Sequence, residues 1–454
     1  MDLSIIILAA GQGTRMHSDL PKVLHPLGGR PLLEHVLETA RRFADATLHV
    51  VVGHGAEQVR AAVPGADIHW VVQAEQLGTG HAVAQVLPAV PDDHAVLVMY
   101  GDVPLIRKET LGTLQVIAMN DEVGLLTADL DDPTGYGRIL HASDGSITGS
   151  VEEKDATPQQ RRIREVNTGF IAAPARRLRA WVAALDNDNA QGEFYLTDVI
   201  ALAVGDQVIV RGVTSRDPHE IIGVNTRLQL AVLERAYQQR QAAECMQGGV
   251  MLVDPARFDL RGTLSAGRDV VIDVNAVLEG EITLGERVHI GPNVMLRDTT
   301  LADDVTVLAN CVIEEADIGA GARIGPFARI RPETRLADGA HVGNFVEIKK
   351  SDVGRGSKIN HLSYIGDTRI GTRVNIGAGT ITCNYDGANK HRTLIGDDVF
   401  IGSDTQLVAP VEIGDGATIG AGSTVTRDAP PGELTLSRAP QETRPGWRRP
   451  EKKQ

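Results

Sequence analysis

The chain has 454 residues, too many for one ordinary hydrophobic core, so its length predicts two or three domains. Hydrophobic residues make up 42%, a globular value that excludes disorder of the whole chain, and the net charge of −14 argues against a general nucleic-acid binder, which carries a basic face. Glycine reaches 48 residues while aromatic residues are only 4%, so part of the fold needs small residues and few rings.

The cysteines and the first residues indicate a reduced, cytoplasmic protein. Cys245, Cys311 and Cys383 lie far apart and form no CxxC pair, which predicts neither a disulfide framework nor a zinc site. The apolar run Ile5–Ala10 is short and lacks a preceding positive region, so it reads as a buried strand and not as a signal peptide. No run approaches the ~18 apolar residues of a membrane span, and we expect no membrane partner.

Residues 1 to about 225 alternate apolar strands with helical patterns. The predicted strands are Leu3–Ala10, Thr47–Val52, Ile68–Val72 and Ala95–Tyr100. The predicted helices between them are Leu32–Phe43, Glu57–Val63 and Gly80–Leu87. This alternation predicts a Rossmann-like α/β domain with a mainly parallel sheet and helices on both faces. Ligands of such sheets bind beyond the carboxyl ends of the strands.

A single long helix is predicted over residues 226–248. The segment is rich in Leu, Ala, Gln, Glu and Arg, contains no proline, and ends at Gly248 and Gly249. We interpret it as a connector. The predicted domains are therefore residues 1–227, a helical linker of residues 228–248, and an all-β domain of residues 249–454.

A six-residue repeat is the strongest pattern in the sequence. Its positions are Ile282, Val288, Val294, Thr300, Thr306, Val312, Ile318, Ile324, Ile330, Leu336, Val342 and Ile348. The repeat returns as Ile395, Ile401, Leu407, Ile413, Ile419 and Val425. This period is typical of hexapeptide β-helices, in which each six-residue rung supplies one inward aliphatic side chain and small residues form the turns.

Two interruptions of the repeat predict loops that leave the β-helix. The first runs from Lys349 to about Lys358, and the second from Gly377 to Lys390. The segment Asn360-His361-Leu362-Ser363-Tyr364 stands between them. The pattern resembles the hexapeptide transferase family, whose β-helix is left-handed; the period alone does not give the hand.

A glycine-rich turn follows the first predicted strand in Leu8-Ala9-Ala10-Gly11-Gln12-Gly13-Thr14-Arg15-Met16, and Lys22 comes seven residues after Arg15. Glycines let backbone N–H groups approach a phosphate, and Arg15 and Lys22 offset its charge. The string lacks the third glycine of the dinucleotide fingerprint. It is similar to the sugar-phosphate nucleotidyltransferase family, although Gln12 stands where relatives often carry lysine.

That resemblance implies further site residues. Those for nucleotide and sugar are Leu8, Ala9, Ala10, Gly11, Lys22, Gln73, Gly78, Thr79, Tyr100, Gly101, Asp102, Gly137, Glu152, Asn167 and Asn225. Asp102 and Asn225 would be the metal ligands. So sparse a set suits Mg²⁺, which keeps waters and takes its other oxygens from substrate phosphates. Arg15 and Lys22 would support catalysis by neutralising phosphate charge.

The region between the interruptions resembles the acetyltransferase half of the bifunctional enzymes that make UDP-N-acetylglucosamine. Acetylation needs a neutral amine, and His361 is the predicted base because the pKa of histidine lies near neutrality. By resemblance, the amino-sugar phosphate would contact Arg331, Lys349, Tyr364 and Asn375. Acetyl-coenzyme A would contact Ala378, Asn384, Tyr385, Ser403, Ala421 and Arg438.

The resemblance covers essentially the whole chain. It implies acetyl transfer from acetyl-coenzyme A to glucosamine 1-phosphate, then uridylyl transfer from UTP to N-acetylglucosamine 1-phosphate, supplying precursors of peptidoglycan and lipopolysaccharide. It also implies a homotrimer with sites shared between subunits. Two alternatives are a nucleotidyltransferase whose β-helix is only a scaffold and a regulatory subunit with degenerate halves. His361 argues against the first; Lys22, Asp102 and Asn225 argue against the second.

Overall fold

The computed structural model describes residues 2–450 and 452, and its contacts divide the chain into two compact units, residues 1–237 and 238–454. The described α-helices are Leu32–Arg41, Ala56–Ala62, Thr79–Val86, Lys108–Met119, Ala175–Ala183, Val199–Gly205 and Arg227–Gln247. The last is the predicted connector, and the division falls inside it. Its Leu233 packs with Met16 in the first unit, whereas Ala242 joins the core of the second.

A nine-stranded mixed sheet forms the centre of the first unit. Its main strands, in spatial order, are Val210–Thr214, Val123–Asp129, Glu165–Pro174, Ala95–Tyr100, Leu3–Ala9, Thr47–Val52 and Ile68–Val72; Gly137–His141 and Ile147–Val151 extend it. Glu165–Pro174 is antiparallel to both its main-path neighbours, and the other main-path pairings are parallel. A two-stranded ribbon, Pro26–Leu27 with Arg30–Pro31, lies apart from it.

The central strand Leu3–Ala9 is buried at every position because helices cover both faces of the sheet. One face packs with Leu33, Val36 and Leu37, and the other with Val83 and Val86. The predicted strands of this unit are confirmed within one residue. Its cleft lies at the carboxyl ends of the parallel strands, where an α/β sheet places its ligands.

Short parallel strands stack into a three-faced coil in the second unit. One face is the sheet Met251–Leu252, Val271–Ile272, His289–Ile290, Thr306–Val307, Arg323–Ile324, His341–Asn344, Lys358–His361, Asn375–Ile376, Phe400–Ile401, Thr418–Ile419 and Leu434–Thr435, called the A face below. The other two faces join in one sheet through the long strands of the first coils. Its strands are Phe258–Ala266, Ala276–Leu284, Met295–Leu301, Val312–Glu314, Ala316–Ile318, Arg329–Ile330, Thr334–Leu336, Glu347–Lys349, Asp352–Val353, Tyr364–Gly366, Thr368–Ile370, Ile381–Cys383, Thr393–Ile395, Gln406–Val408, Val411–Ile413 and Thr424–Val425.

The inward column of the A face shows how the repeat is built. Ile290 pairs with Val307 and Val307 with Ile324, so a coil there contains 17 residues and one of its three rungs has five. Ile324 pairs with Val342, which gives a coil of 18. The prediction that every rung from Ile282 to Ile348 has six residues was therefore wrong. Thr300 is exposed and Thr306 and Val312 are only half-buried, because a five-residue step separates Val294 from Thr299. The hand of the coil stays a prediction from the resemblance.

Only one of the predicted interruptions leaves the coil. From Lys349 to Lys358 the chain continues through strand Asp352–Val353 to strand Lys358–His361, so no loop leaves there and the shift reflects another five-residue rung. The second interruption is real but shorter than predicted: Ile376 pairs with Ile401, and the extra residues lie between Cys383 and Thr393. Across the described residues, no helix has the length and hydropathy to cross a bilayer.

Candidate active sites

A cleft of about 320 Å³ opens at the carboxyl edge of the first unit's sheet. Its lining includes most of the predicted nucleotide residues: Leu8, Ala9, Ala10, Gly11, Lys22, Gln73, Gly78, Thr79, Tyr100 and Asp102. The loops after strands Leu3–Ala9, Ile68–Val72 and Ala95–Tyr100 carry most of these residues. Residues distant in sequence meet here because parallel strands end at the same edge of the sheet.

Lys22 lies between the two predicted metal ligands. Its Nζ donates to Asp102 Oδ2 at 2.5 Å and to Asn225 Oδ1 at 3.1 Å. The Lys22 and Asp102 side chains are only 14% and 12% exposed, so the ion pair is largely shielded from water. Two oxygens thus converge on one positive charge, and the ammonium group marks where a cation can be held.

These residues fit a divalent cation with few protein ligands. Within residues 2–450 and residue 452, no cluster of three or more His, Cys, Asp or Glu side chains could hold a metal ion, so a fully protein-built cage is not found there. Asp102 and Asn225 supply one carboxylate and one amide oxygen, both ligands that Mg²⁺ accepts alongside water and substrate phosphate. The backbone of Asp102 is held in place, because Val224 N donates a hydrogen bond to the Asp102 carbonyl oxygen at 2.9 Å.

The glycine-rich turn brings Lys22 close to the first strand. Gly13 has φ of +66°, and a Cβ there would come within 2.7 Å of the Lys22 Cβ, so glycine suits the position on both counts. Arg15, in contrast, is exposed and outside the cleft lining. Gln12 is exposed as well. The structure therefore gathers Lys22, but not Arg15, at the cation position.

The predicted sugar residues form a second group beside Tyr100. Glu152 Oε1 accepts from Thr197 Oγ1 at 3.0 Å, and a Cβ on Gly137 would lie 3.3 Å from that oxygen. Asn167 Nδ2 donates to Ser150 Oγ at 3.2 Å. Burial raises the pKa of Glu152, and burial with the charges of Glu152 and Asp102 raises the pKa of Tyr100. Tyr100 also lines the cleft together with Lys22 and Asp102.

Sequence reasoning missed several residues of this site. Gln76 lines the cleft and its Nε2 donates to Ala10 O at 2.9 Å, which ties the loop after Ile68–Val72 to the glycine-rich turn. Glu193 also lines the cleft. Gln76 could have been found, because it is a polar residue inside the recognised segment Gln73–Thr79. Glu193 carries no such signal, since only the fold brings its turn to the cleft.

His361 stands at the end of strand Lys358–His361 on the A face. Its Nδ1 lies 2.9 Å from Asn344 Oδ1, on the neighbouring coil. An amide oxygen can only accept, so Nδ1 carries a proton, and in the neutral ring Nε2 is then the nitrogen with the lone pair. The ring is exposed and can be reached by a substrate. Asn344 was not predicted, because only the register of the coils reveals the pair.

Positive side chains gather outside the sheet that carries Glu347–Lys349. Arg331 Nη1 pairs with Glu347 Oε1 at 2.8 Å. The pKa of Lys349 is lowered, chiefly because the amine of Lys390 lies beside it. Two ammonium groups repel one another at close range, and an anion placed between them relieves that repulsion. Lys390 was not singled out from the sequence.

The loop between Cys383 and Thr393 carries Lys390 and is closed by Asp386. The Asp386 carboxylate accepts from the backbone N–H groups of Asn389 and Ala388 and pairs with His391 at 2.7 Å. These contacts lower the pKa of Asp386 well below its usual range. At the base of the loop, Asn384 is buried and its Nδ2 donates to Asp367 Oδ2. Tyr385 is exposed.

The predicted acetyltransferase residues fall into two sets on one chain. One set lies on strands of the sheet that joins the other two faces, or directly after such strands: Arg331, Lys349, Tyr364, Asn384 and Tyr385. His361 and Asn375 lie on the A face. The predicted coenzyme residues follow successive A-face strands at one corner of the coil: Ala378, Ser403 and Ala421. Arg438 Nη1 donates to Ala421 O at 2.6 Å.

Family comparisons agree with both halves of the fold. The MobA-like NTP transferase domain matches residues 5–143, and the bacterial transferase hexapeptide (six repeats) matches residues 392–427. The chain is 60% identical to the bifunctional protein GlmU of Alkalilimnicola ehrlichii over 99% of this chain and 96% of that protein. It is 58% identical to the protein of the same name from Methylococcus capsulatus, over 100% and 98%.

The corresponding protein of Marinobacter nauticus is 56% identical over 99% of each chain. Among solved structures, a UDP-glucose pyrophosphorylase complexed with UDP-glucose covers 53% of this chain at 15% identity and a TM-score of 0.43, too low to add to the assignment.

The two units define a nucleotidyltransferase joined to a hexapeptide-repeat transferase. The chain belongs to the GlmU family of bifunctional proteins. It is accordingly an enzyme with uridylyltransferase and glucosamine-1-phosphate acetyltransferase activities, and the family pairs a divalent metal ion with nucleotide and acyl substrates. The scaffold-only alternative for the β-helix is not favoured.

Proposed function

We propose that the first unit's cleft binds UTP and N-acetylglucosamine 1-phosphate around Mg²⁺ held by Asp102 and Asn225. The observation that carries this proposal is the convergence of Asp102 and Asn225 oxygens on the Lys22 ammonium. When bound, Mg²⁺ would neutralise charge on the phosphates in transfer. Lys22 would then turn from these oxygens to a phosphate oxygen. The nucleotide would lie along Leu8–Gly11, Gln73, Gly78 and Thr79.

The reaction at this site needs no general base. A phosphate oxygen of the sugar 1-phosphate attacks the α-phosphorus of UTP, the bond to the β-phosphate oxygen breaks, and pyrophosphate leaves. The protein contributes position and charge neutralisation. Glu152 and Asn167 would bind the sugar, with Gly137 leaving room for it. Arg15 is exposed on the glycine-rich turn, outside the cleft lining. We therefore assign it to the β- and γ-phosphates of UTP.

We propose that His361 Nε2 removes a proton from the amine of glucosamine 1-phosphate as the nitrogen attacks the thioester carbonyl of acetyl-coenzyme A. The sulfur leaves and is protonated to the free thiol. The Asn344 contact supports this role because it fixes the tautomer with a basic Nε2. Arg331, Lys349 and Lys390 would bind the sugar phosphate, and the depressed pKa of Lys349 supports an anion there.

We further propose that three copies assemble and share acetyltransferase sites. Two observations support this proposal: Asn375 lies on a different face from Lys349 and Tyr364, and an apolar ridge adjoins His361. Phe327 and Phe345 stack at 5.4 Å on successive coils and are 50% and 55% exposed, an apolar surface that a second copy would cover. Sedimentation of the full chain should give three copies, and a monomer at micromolar concentration would contradict this.

These substrates suit an enzyme of the cytoplasm, and we propose that location for this one. The free thiols of Cys245, Cys311 and Cys383 support it, since disulfides are rare there.

Omission of substrates tests the order of the two reactions. The full chain is given glucosamine 1-phosphate, acetyl-coenzyme A, UTP and Mg²⁺, and free thiol and pyrophosphate are measured separately. We expect thiol release without UTP, and little pyrophosphate when acetyl-coenzyme A is omitted. Ready pyrophosphate release from unacetylated sugar would contradict the proposed order, and thiol release that needs UTP would contradict separate sites.

A further inference from the structure

Thr226 directly precedes the helix Arg227–Gln247 and caps its first turn together with Gln229. Thr226 Oγ1 accepts from Gln229 N at 3.2 Å, and Gln229 Oε1 accepts from Thr226 N at 3.0 Å. This is the Thr-x-x-Gln capping box, which satisfies backbone N–H groups that a helix start leaves without partners. The box alone would explain both side chains as structural.

Gln229 does more than complete the box. Its Oε1 also accepts from the backbone N–H of Asn225 at 2.9 Å, so one side-chain oxygen fixes two consecutive peptide groups. Asn225 is the residue whose Oδ1 converges with Asp102 on the Lys22 ammonium. Its position therefore depends on a side chain four residues further along the chain.

Other bonds place the same helix start at the edge of the cleft. Val224 N donates to the carbonyl oxygen of Asp102, and Arg227 Nε donates to Met16 O at the end of the glycine-rich turn at 3.1 Å. The residues that flank Asn225 are thus bonded to the two segments that carry Asp102 and Lys22. Among these bonds at the helix start, that of Gln229 reaches the backbone N–H of Asn225 itself.

We propose that Gln229 is a positioning residue for the divalent cation site, acting through the backbone of Asn225; this inference rests on the proposed nucleotidyl transfer at that site. Because the proposed site has one carboxylate and one amide as its ligands from the described residues, the orientation of each ligand strongly affects metal affinity. Residues that orient metal ligands typically change metal affinity or activity by ~10–100-fold when mutated.

Gln229→Leu tests the proposal, because it keeps the approximate size of the side chain and removes the accepting oxygen. We expect the Mg²⁺ concentration for half-maximal pyrophosphate release to rise about tenfold, while kcat at saturating Mg²⁺ stays within about twofold of the wild type. Gln229→Glu keeps an oxygen acceptor and should restore most of the Mg²⁺ affinity. A fall in kcat with an unchanged Mg²⁺ requirement would overturn the proposal.

Thr226→Val is the matched control. It removes the hydroxyl half of the same capping box but leaves the bond from Asn225 N to Gln229 Oε1. We expect a loss of helix stability in both variants, with an Mg²⁺ requirement that changes only in Gln229→Leu. If Thr226→Val raises the Mg²⁺ requirement equally, the effect belongs to the helix cap and the proposal fails.

Direct metal binding supplies a readout besides activity. Mn²⁺ is titrated into each full-length variant in the presence of UDP-N-acetylglucosamine and followed by water-proton relaxation. Gln229→Leu should weaken Mn²⁺ binding about tenfold, and Thr226→Val should not.

If Asp102→Ala and Asn225→Ala leave Mn²⁺ binding unchanged, the proposed cation site itself fails. If they weaken it and Gln229→Leu does not, only the role of Gln229 fails. If Gln229→Leu does not fold, Gln229→Ala is used in its place. Thiol release by that variant then shows whether its second unit is folded.

Discussion

Lys349 and Lys390 hold two positive charges side by side, which is costly in the free protein and useful when an anion arrives. Lys390→Met should raise the KM for glucosamine 1-phosphate about tenfold, which corresponds to about 1.4 kcal/mol, and should leave the KM for acetyl-coenzyme A nearly unchanged. Steady-state thiol release measures both constants. Lys350→Met is the control, since Lys350 pairs with Glu333 at 3.3 Å.

The same variant makes a prediction about the pKa of Lys349. With Lys390 removed, that pKa should rise towards its ordinary value, so less of the Lys349 amine is neutral at a given pH. Its reaction with an amine-specific reagent, followed by mass spectrometry at pH 8, should slow. Faster labelling of Lys349 in Lys390→Met would show that Lys390 shields Lys349 and does not repel its charge.

His49 makes the first unit sensitive to acid. It is 3% exposed, neither ring nitrogen has a hydrogen-bond partner among the described residues, and burial, with the charges of His69 and His94, lowers its pKa to about 4. The unfolded chain takes up this proton near pH 6.5, so between pH 6.5 and about 4 the unfolded state binds more protons and stability falls as the pH falls.

His49→Leu should remove this part of the pH dependence, on the order of 3 kcal/mol between pH 6.5 and 4. Urea unfolding of the full chain, followed by pyrophosphate release as the probe of the first unit, measures it at each pH. His54→Leu, at an exposed position, should leave the slope unchanged. An identical slope in wild type and His49→Leu would contradict the account of His49.

At the scale of secondary-structure elements, the coils of the second unit approach each other too closely for a side chain at some glycines. A Cβ on Gly343 would overlap the carbonyl oxygen of Asn360 on the next coil, whereas a Cβ on Gly339 meets nothing within 4 Å and is opposed only by its φ of +66°. Gly343 also lies one residue before Asn344, the partner of His361.

Gly343→Ala should therefore cost about 3 kcal/mol of stability through backbone displacement, against about 1 kcal/mol for Gly339→Ala. Thermal inactivation of acetyl transfer compares the two variants. Pyrophosphate release should change in neither, because Gly343 and Gly339 belong to the second unit. Equal inactivation temperatures for the two variants would show that the coils yield to the extra carbon.

The elements that could be predicted from sequence are those whose pattern reports burial directly. Leu3–Ala9 is a continuous apolar run because helices cover both faces of its sheet, and the predicted strand matches it. The six-residue repeat correctly predicted stacked parallel coils. It missed the five-residue rungs because Thr300, Thr306 and Val312 keep the spacing by chance while lying outside the inward column.

Site residues could be predicted from the sequence only where they belong to a sequence motif. Lys22, Asp102 and Gln73 stand in such motifs and line the cleft. The register of the coils brings Asn344 to His361, and a closed loop brings Lys390 to Lys349. The spacing of residues in the sequence indicates neither contact. Conversely, Arg15 belongs to such a motif yet is exposed and outside the cleft lining.

At the scale of the whole molecule, two units carry two chemistries that need different environments. In the first unit Lys22 contacts Asp102 and Asn225, residues up to 203 positions apart in the chain, and we propose that this group handles phosphate charge. The second unit presents an exposed His361 whose Nδ1 contacts Asn344, and we propose that this ring accepts one proton. If each chemistry depends on side chains within its own unit, as we propose, loss of one should spare the other.

The most direct test assays both products in two full-length variants. His361→Ala should lower thiol release by ~10²-fold or more, as expected for loss of a general base, and leave pyrophosphate release from N-acetylglucosamine 1-phosphate and UTP unchanged. Asp102→Ala should abolish pyrophosphate release and leave thiol release unchanged. Loss of both products in either folded variant, or full thiol release without His361, would contradict two independent sites.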